Sequence, residues 1–141
     1  PRRRLNDGQG RTTFQGAGNT MRVLVVDDSS TMRKIIANTL KKIGCEDIVE
    51  AGNGAEGLQQ VGTGAIDFVV TDWNMPVMNG LEFVRELRGL QTSATLPVLM
   101  VTTNAESSDI AGAKEAGVND YVVKPFTAET LKEKMSALLA R

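Results

Sequence analysis

From Met21 to the C-terminus, short runs of consecutive apolar residues alternate five times with segments whose apolar residues return every three or four positions. Runs of the first kind read as strands covered on both faces, and the second period is that of a helix with one apolar stripe. The runs predict strands over 22–27, 47–51, 66–71, 97–102 and 120–124. The first helical segment lines Met32, Ile35, Ile36, Thr39, Leu40 and Ile43 along one side, with Ser30 available as its N-cap and Gly44 to stop it. Leu81, Val84, Leu87 and Leu90 do the same for the third, and Leu131, Met135, Leu138 and Leu139 for the last. The second, 54–61, is short, and the fourth, 105–116, is rich in Ala and polar residues.

Strands alternating with helices predict an α/β fold, a parallel sheet with helices on both faces. Five such units in about 120 residues fit the flavodoxin-like doubly wound order 2-1-3-4-5, with its switch point between the first and third strands. In such a sheet the carboxyl ends of the strands open into one crevice. Asp27 and Asp28 follow the first strand, Asp72 the third and Lys124 the fifth, and Thr102 ends the fourth.

Each residue has a plain structural reading. Asp27 or Asp28 can cap the following helix, Asp72 can serve the turn at Trp73-Asn74-Met75-Pro76, Lys124-Pro125 can be an ordinary turn, and Thr102 is a normal β-branched strand residue. One cap needs one carboxylate, however, and independent caps have no reason to share a crevice with a lysine. Three clustered carboxylates repel one another unless an ammonium or a hard, oxygen-seeking cation offsets them. The group therefore predicts a divalent ion, Mg2+, and a site suited to phosphoryl transfer onto Asp72, where positioning and charge neutralisation do most of the work.

Composition narrows the alternatives. The chain of 141 residues has 41% hydrophobic and 23% charged residues, a globular balance for one domain. No apolar run approaches the roughly 20 residues that span a bilayer, and no signal segment opens the chain, so a soluble, cytoplasmic protein without membrane partners is expected. With no histidine there is no His-based triad or His-ligated metal, and any phosphoryl donor is external. The single Cys45 reads as a small core or loop residue. Arg2, Arg3, Arg4 and Arg11 against Asp7 make residues 1–20 locally +3 within a net charge of −1. This Gly-rich stretch lacks an apolar period and reads as a tail, linker or expression scar before a domain at 21–141. The remaining −4 is a poor match to nucleic acid.

Gly52-Asn53-Gly54-Ala55-Glu56-Gly57 matches G-x-G-x-x-G after a predicted strand. That strand falls at the sheet edge in the proposed order, and no second mononucleotide half follows, so the glycines are expected to start a short helix and trim a loop.

Val23-Leu24-Val25-Val26-Asp27-Asp28-Ser29, Thr71-Asp72-Trp73-Asn74-Met75-Pro76-Val77-Met78-Asn79-Gly80, Pro97-Val98-Leu99-Met100-Val101-Thr102 and Tyr121-Val122-Val123-Lys124-Pro125-Phe126 together resemble a response-regulator receiver domain, over residues 21–141 and nearest its chemotaxis branch. The resemblance implies that Asp72 accepts a phosphoryl group from a histidine kinase. It implies that Asp28, Asp72 and the Asn74 backbone carbonyl ligate Mg2+, with Asp27 reaching it through water. Lys124 would pair with Asp72 and then with the phosphoryl oxygens, and Thr102 would bond to the phosphoryl group. Tyr121 would turn inward behind it, although plain core packing serves that position equally well. The Lys124-Pro125 peptide is expected to be cis.

By the same resemblance, Ala105, Ile110, Tyr121, Val123 and Lys134 form a docking face for a flagellar motor switch protein and, in some bacteria, a phosphatase. Asn104 stands where enteric members carry glutamate, and Glu106 and Ser107 where they carry lysines. The first departure bears on dephosphorylation and the second removes basic charge from the docking face. The chain ends with the fifth helical segment, so the expectation is a single-domain, non-enzymatic switch with self-catalysed loss of phosphate and no DNA-binding output. A receiver cut from a larger hybrid kinase or regulator is the alternative. A Mg2+-dependent phosphohydrolase is a third reading, and Asn74 cannot supply the proton such enzymes often draw from two residues past the nucleophile. A receiver that binds partners without phosphorylation is disfavoured because no site residue is missing.

Overall fold

The structure, a computed structural model, describes residues 3–6, 12–15, 21–63, 66–75, 78–90, 95–103 and 107–139. Two four-residue strands, β1 (Arg3–Asn6) and β2 (Thr12–Gln15), pair antiparallel as a separate hairpin. No apolar alternation marks them in the sequence, and at four residues each they leave no period to read.

The remaining elements are β3 (Arg22–Val26), α1 (Ser30–Lys42), β4 (Asp47–Ala51), α2 (Gly54–Thr63), β5 (Phe68–Asp72), α3 (Gly80–Arg88), β6 (Val98–Thr102), α4 (Ser107–Ala116), β7 (Asp120–Val123) and α5 (Ala128–Leu139). The five later strands form one parallel sheet in the order β4-β3-β5-β6-β7, the doubly wound arrangement expected. Alternate side chains of each strand enter opposite cores. Val23, Val25, Phe68, Val70, Leu99 and Val101 pack with Ile36 and Leu40 of α1 and Leu131, Met135 and Leu138 of α5. Leu24, Val26, Val69, Val98 and Met100 pack with Val61 of α2, Phe83, Val84 and Leu87 of α3 and Ala113 of α4. Every residue of β5 and β6 is buried, which explains their near-continuous apolar runs.

Several sequence expectations need correction. The N-cap of α1 is Ser29, whose Oγ accepts the Met32 N–H at 3.2 Å, and Ser30 is the first helical residue. Two adjacent serines are equivalent in sequence, and only the extended backbone at Ser29 decides between them. Gly44, with φ of 103°, follows α1 and ends it as expected. Strand β5 starts at Phe68 rather than 66. Arg22 donates its backbone N–H to the Asp67 carboxylate at 2.9 Å, so a side chain takes the place of a ladder partner there. Ile35 is 49% exposed and Leu90 is 37% exposed beyond the end of α3, so neither belongs to the core stripe expected of it. Ala37 fills the α1 stripe instead.

The glycines after β4 behave as structure. Gly54 opens α2, and a Cβ on Gly57 would stand 2.9 Å from Phe83 Cε1 and 3.1 Å from Val26 Cγ2, so Gly57 sets the approach of α2 to the sheet and to α3. Their strand is the sheet edge, away from the switch point a dinucleotide would occupy. Among the described residues no helix is long and apolar enough to cross a membrane.

Candidate functional site

Strand register brings the polar residues together. Val26 pairs with Thr71, so Asp27 stands level with Asp72 across β3 and β5. Thr102 lies one step past Val101, the partner of Asp72, and Lys124 one step past Val123, the partner of Thr102. The Lys124 N–H donates to the Thr102 carbonyl at 2.8 Å, extending the ladder by one residue to deliver the lysine. The Lys124-Pro125 peptide is cis, as expected.

Lys124 Nζ lies 3.1 Å from Asp72 Oδ1 and 4.0 Å from Asp27 Oδ2. Asp72 Oδ1 also accepts the Trp73 N–H at 2.9 Å. Asp27 Oδ1 takes the Ser29 N–H at 2.9 Å, while Asp27 Oδ2 is buried with no hydrogen-bond partner among the described residues. Asp28 sits exposed at the rim. One carboxylate oxygen from each of Asp27, Asp28 and Asp72 lies within 4.8 Å of the others. Burial pushes the Asp27 carboxyl above its usual range; the Ser29 N–H opposes this, Asp72 adds to it, Lys124 opposes it and Asp28 adds to it.

That donor set fits Mg2+. The ion takes oxygen ligands, and a buried carboxylate oxygen without a partner is costly unless something completes it. Lys124 at 4.0 Å is too far to do so by a hydrogen bond. Asn74 is exposed two residues past Asp72, and Thr102 is buried at the end of β6.

Of the expected docking-face residues, Tyr121 and Val123 lie on β7 and Lys134 on α5. Tyr121 and Val123 share one side of β7, with Tyr121 half-buried against the second core and Val123 38% exposed. Lys134 Nζ lies 3.3 Å from Asp120 Oδ2 and 5.3 Å from the Tyr121 ring centre. Ile110 is half-buried on α4. Ala105, Asn104 and Glu106 lie outside the described residues, as do Pro76 and Val77 of the turn after Asp72 and the side chain of Ser107.

Sequence reasoning passed over three contributors. Gly80 donates its N–H to the Trp73 carbonyl at 2.8 Å, and a Cβ there would collide with the Asp72 carbonyl oxygen. Arg33 donates to the Asp27 carbonyl at 2.7 Å and to Glu50 Oε1 at 3.2 Å. A signal for Arg33 existed: a cation early in a helix opposes the helix dipole, and α1 has no acidic residue in its first turn.

A five-stranded sheet in this order, with a lysine-paired aspartate among further carboxylates at its carboxyl edge, defines a receiver domain. Residues 23–136 match the profile of the response regulator receiver domain, and the chain belongs to that family. It is closely related to the CheY chemotaxis regulators. The chemotaxis protein CheY of Pseudomonas aeruginosa is 49% identical over 121 residues, which cover 86% of this chain and 98% of that one. CheY1 of Helicobacter pylori is 47% identical over 120 residues, 84% of this chain and 97% of that protein. The solved structure of Vibrio cholerae CheY4 superposes with a TM-score of 0.80 at 34% identity, covering 84% of this chain and 98% of that one.

Proposed function

We propose that this receiver domain accepts a phosphoryl group on Asp72 from a histidine kinase and switches its affinity for a flagellar motor partner. The observation that carries the reading is the pairing of Lys124 with Asp72 at 3.1 Å beside an unpartnered, buried Asp27 oxygen. A carboxylate oxygen of Asp72 attacks phosphorus, the new O–P bond replaces the P–N bond to the donor imidazole, and the imidazole leaves with the bonding pair and takes up a proton. Lys124 holds Asp72 in place beforehand and afterwards turns to the phosphoryl oxygens. Thr102 donates its hydroxyl to them. Asp28, Asp72 and the Asn74 carbonyl would hold Mg2+, with Asp27 reaching it through water, and the ion would supply charge neutralisation for the transferring group.

The added dianion draws Thr102 and Lys124 inward, and Tyr121 repacks into the space Thr102 leaves. The altered face comprises α4, β7 and α5, with Ala105, Ile110, Tyr121, Val123 and Lys134 as its contacts. A phosphatase is a second partner for this face, and the protein acts in the cytoplasm. The receiver unit spans 21–141, with residues 1–20 as a linker segment ahead of it, and loss of the phosphoryl group is self-catalysed and slow, at a rate on which the residue at position 104 bears.

Acetyl phosphate with Mg2+ tests the chemistry. Intact mass should rise by one phosphoryl group, Trp73 fluorescence should quench with metal and change again with donor, and Asp72→Asn should lose the mass gain and the second change. No phosphoprotein and an unchanged signal in the unsubstituted chain would overturn the reading. Retention of a flagellar switch peptide by the beryllofluoride-loaded protein, compared with untreated protein, tests the chemotaxis partner.

A further inference from the structure

Asp27 is held at every backbone and side-chain position except the oxygen that faces the cleft. Its N–H donates to the Ala51 carbonyl at 3.1 Å, its Oδ1 accepts from Ser29, and its carbonyl accepts from Arg33 at 2.7 Å. The last of these bonds comes from a helix side chain. Arg33 lies on α1, where its own N–H closes the helix onto the Ser29 carbonyl at 2.9 Å, and its side chain is only 20% exposed. Its Nε is anchored at 3.2 Å by Glu50 Oε1 on β4, and Lys34 Nζ holds the other oxygen of that carboxylate at 3.2 Å. Glu50 sits opposite Val25, two residues before Asp27, so the guanidinium bridges the edge strand to the end of its neighbour.

We propose that Arg33 is a positioning residue for the divalent-ion site, fixing the plane of the Asp27-Asp28 peptide and thereby the aim of both carboxylates. The inference rests on the metal reading above. A planar fork suits the task, because one nitrogen takes the carbonyl while another takes the glutamate; a lysine carries the same charge but cannot hold both acceptors in one plane. The placement is costly at the start of a helix and beside Lys34, and Glu50 compensates for it.

Position and charge act in opposite directions here, which makes the role measurable. As a nearby positive charge alone, Arg33 repels the cation, so its removal would tighten Mg2+ binding and its replacement by lysine would leave binding unchanged. As a positioning group, its loss weakens binding despite the relieved repulsion, and lysine fails to rescue.

Mg2+ titration of Trp73 fluorescence, checked by calorimetry, is compared for the unsubstituted chain, Arg33→Lys and Arg33→Gln under conditions where urea curves show all three folded. Both variants are expected to bind Mg2+ about 10-fold more weakly, the usual scale for loss of a group that orients metal ligands. Labelling by acetyl phosphate should need proportionately more Mg2+ yet reach the same maximal rate at saturation. An Arg33→Lys protein that binds Mg2+ as the unsubstituted chain does overturns the inference, whichever way Arg33→Gln moves. Absence of any Mg2+ response in the unsubstituted chain removes the metal reading itself and this inference with it, a result distinct from either variant outcome.

Discussion

Two lysine-aspartate pairs flank β7, and they do opposite things with the same chemistry. Lys124 meets Asp72 at the carboxyl end of the strand, with the side chains 18% and 9% exposed. Lys134 meets Asp120 at its start, with the side chains 35% and 24% exposed. The inner pair stands among further carboxylates, in a setting where one aspartate oxygen has no hydrogen-bond partner among the described residues. The outer pair has solvent to relax into and a tyrosine ring under the ammonium. Depth, more than distance, separates a pair that can govern chemistry from one that trims a surface.

The sharpest way to break that contrast is to remove each lysine. Lys124→Met leaves Asp27 and Asp72 facing each other without their ammonium, and should lower stability by about 2 kcal/mol in urea without metal, less than for a fully buried pair because the lysine keeps some solvent. Addition of Mg2+ should recover part of the loss. Asp27→Asn acts in the other direction. Burial and its acidic neighbours disfavour the ionised Asp27, so the neutral isostere should stabilise the metal-free protein by about 1 kcal/mol near neutral pH while abolishing stabilisation by Mg2+. Calorimetric melting with and without the ion reads both halves of that exchange.

Lys134→Met should cost under about 1 kcal/mol, and the difference from the unsubstituted chain should shrink in 1 M salt. A loss equal to that of Lys124→Met would end the comparison. The smallest effect concerns Glu50. Its burial would raise its pKa, but hydrogen bonds and charge from Lys34 and Arg33 outweigh this and lower it. A depressed carboxyl contributes stability present above its unfolded value and lost as pH falls through the folded one. Acid titration of urea midpoints should therefore show a shallower decline below pH 4.5, the ordinary glutamate value, in Glu50→Gln than in the unsubstituted chain.

Most of this architecture was legible because parallel strands covered on both faces leave long apolar runs, and because a side chain one step past such a run must enter the common crevice. Asp27, Asp72, Thr102 and Lys124 were readable on those grounds alone. Arg33, Glu50 and Gly80 were not, since each works through a backbone carbonyl or a neighbouring strand that no periodicity reveals. Ile35 and Leu90 misled for a related reason. A three-to-four spacing identifies a stripe without saying where the protein ends beneath it, and Ile35 lies at the margin of the face that α1 turns inward.

The close seating of Gly80 gives the acceptor site one rigid jaw. A methyl at Gly80 would collide with the Asp72 carbonyl oxygen, so only a residue without a side chain lets α3 start this close to the end of β5. Any larger residue at that position would have to push the start of α3 away from the end of β5, and the disturbance would fall on the backbone that carries Asp72.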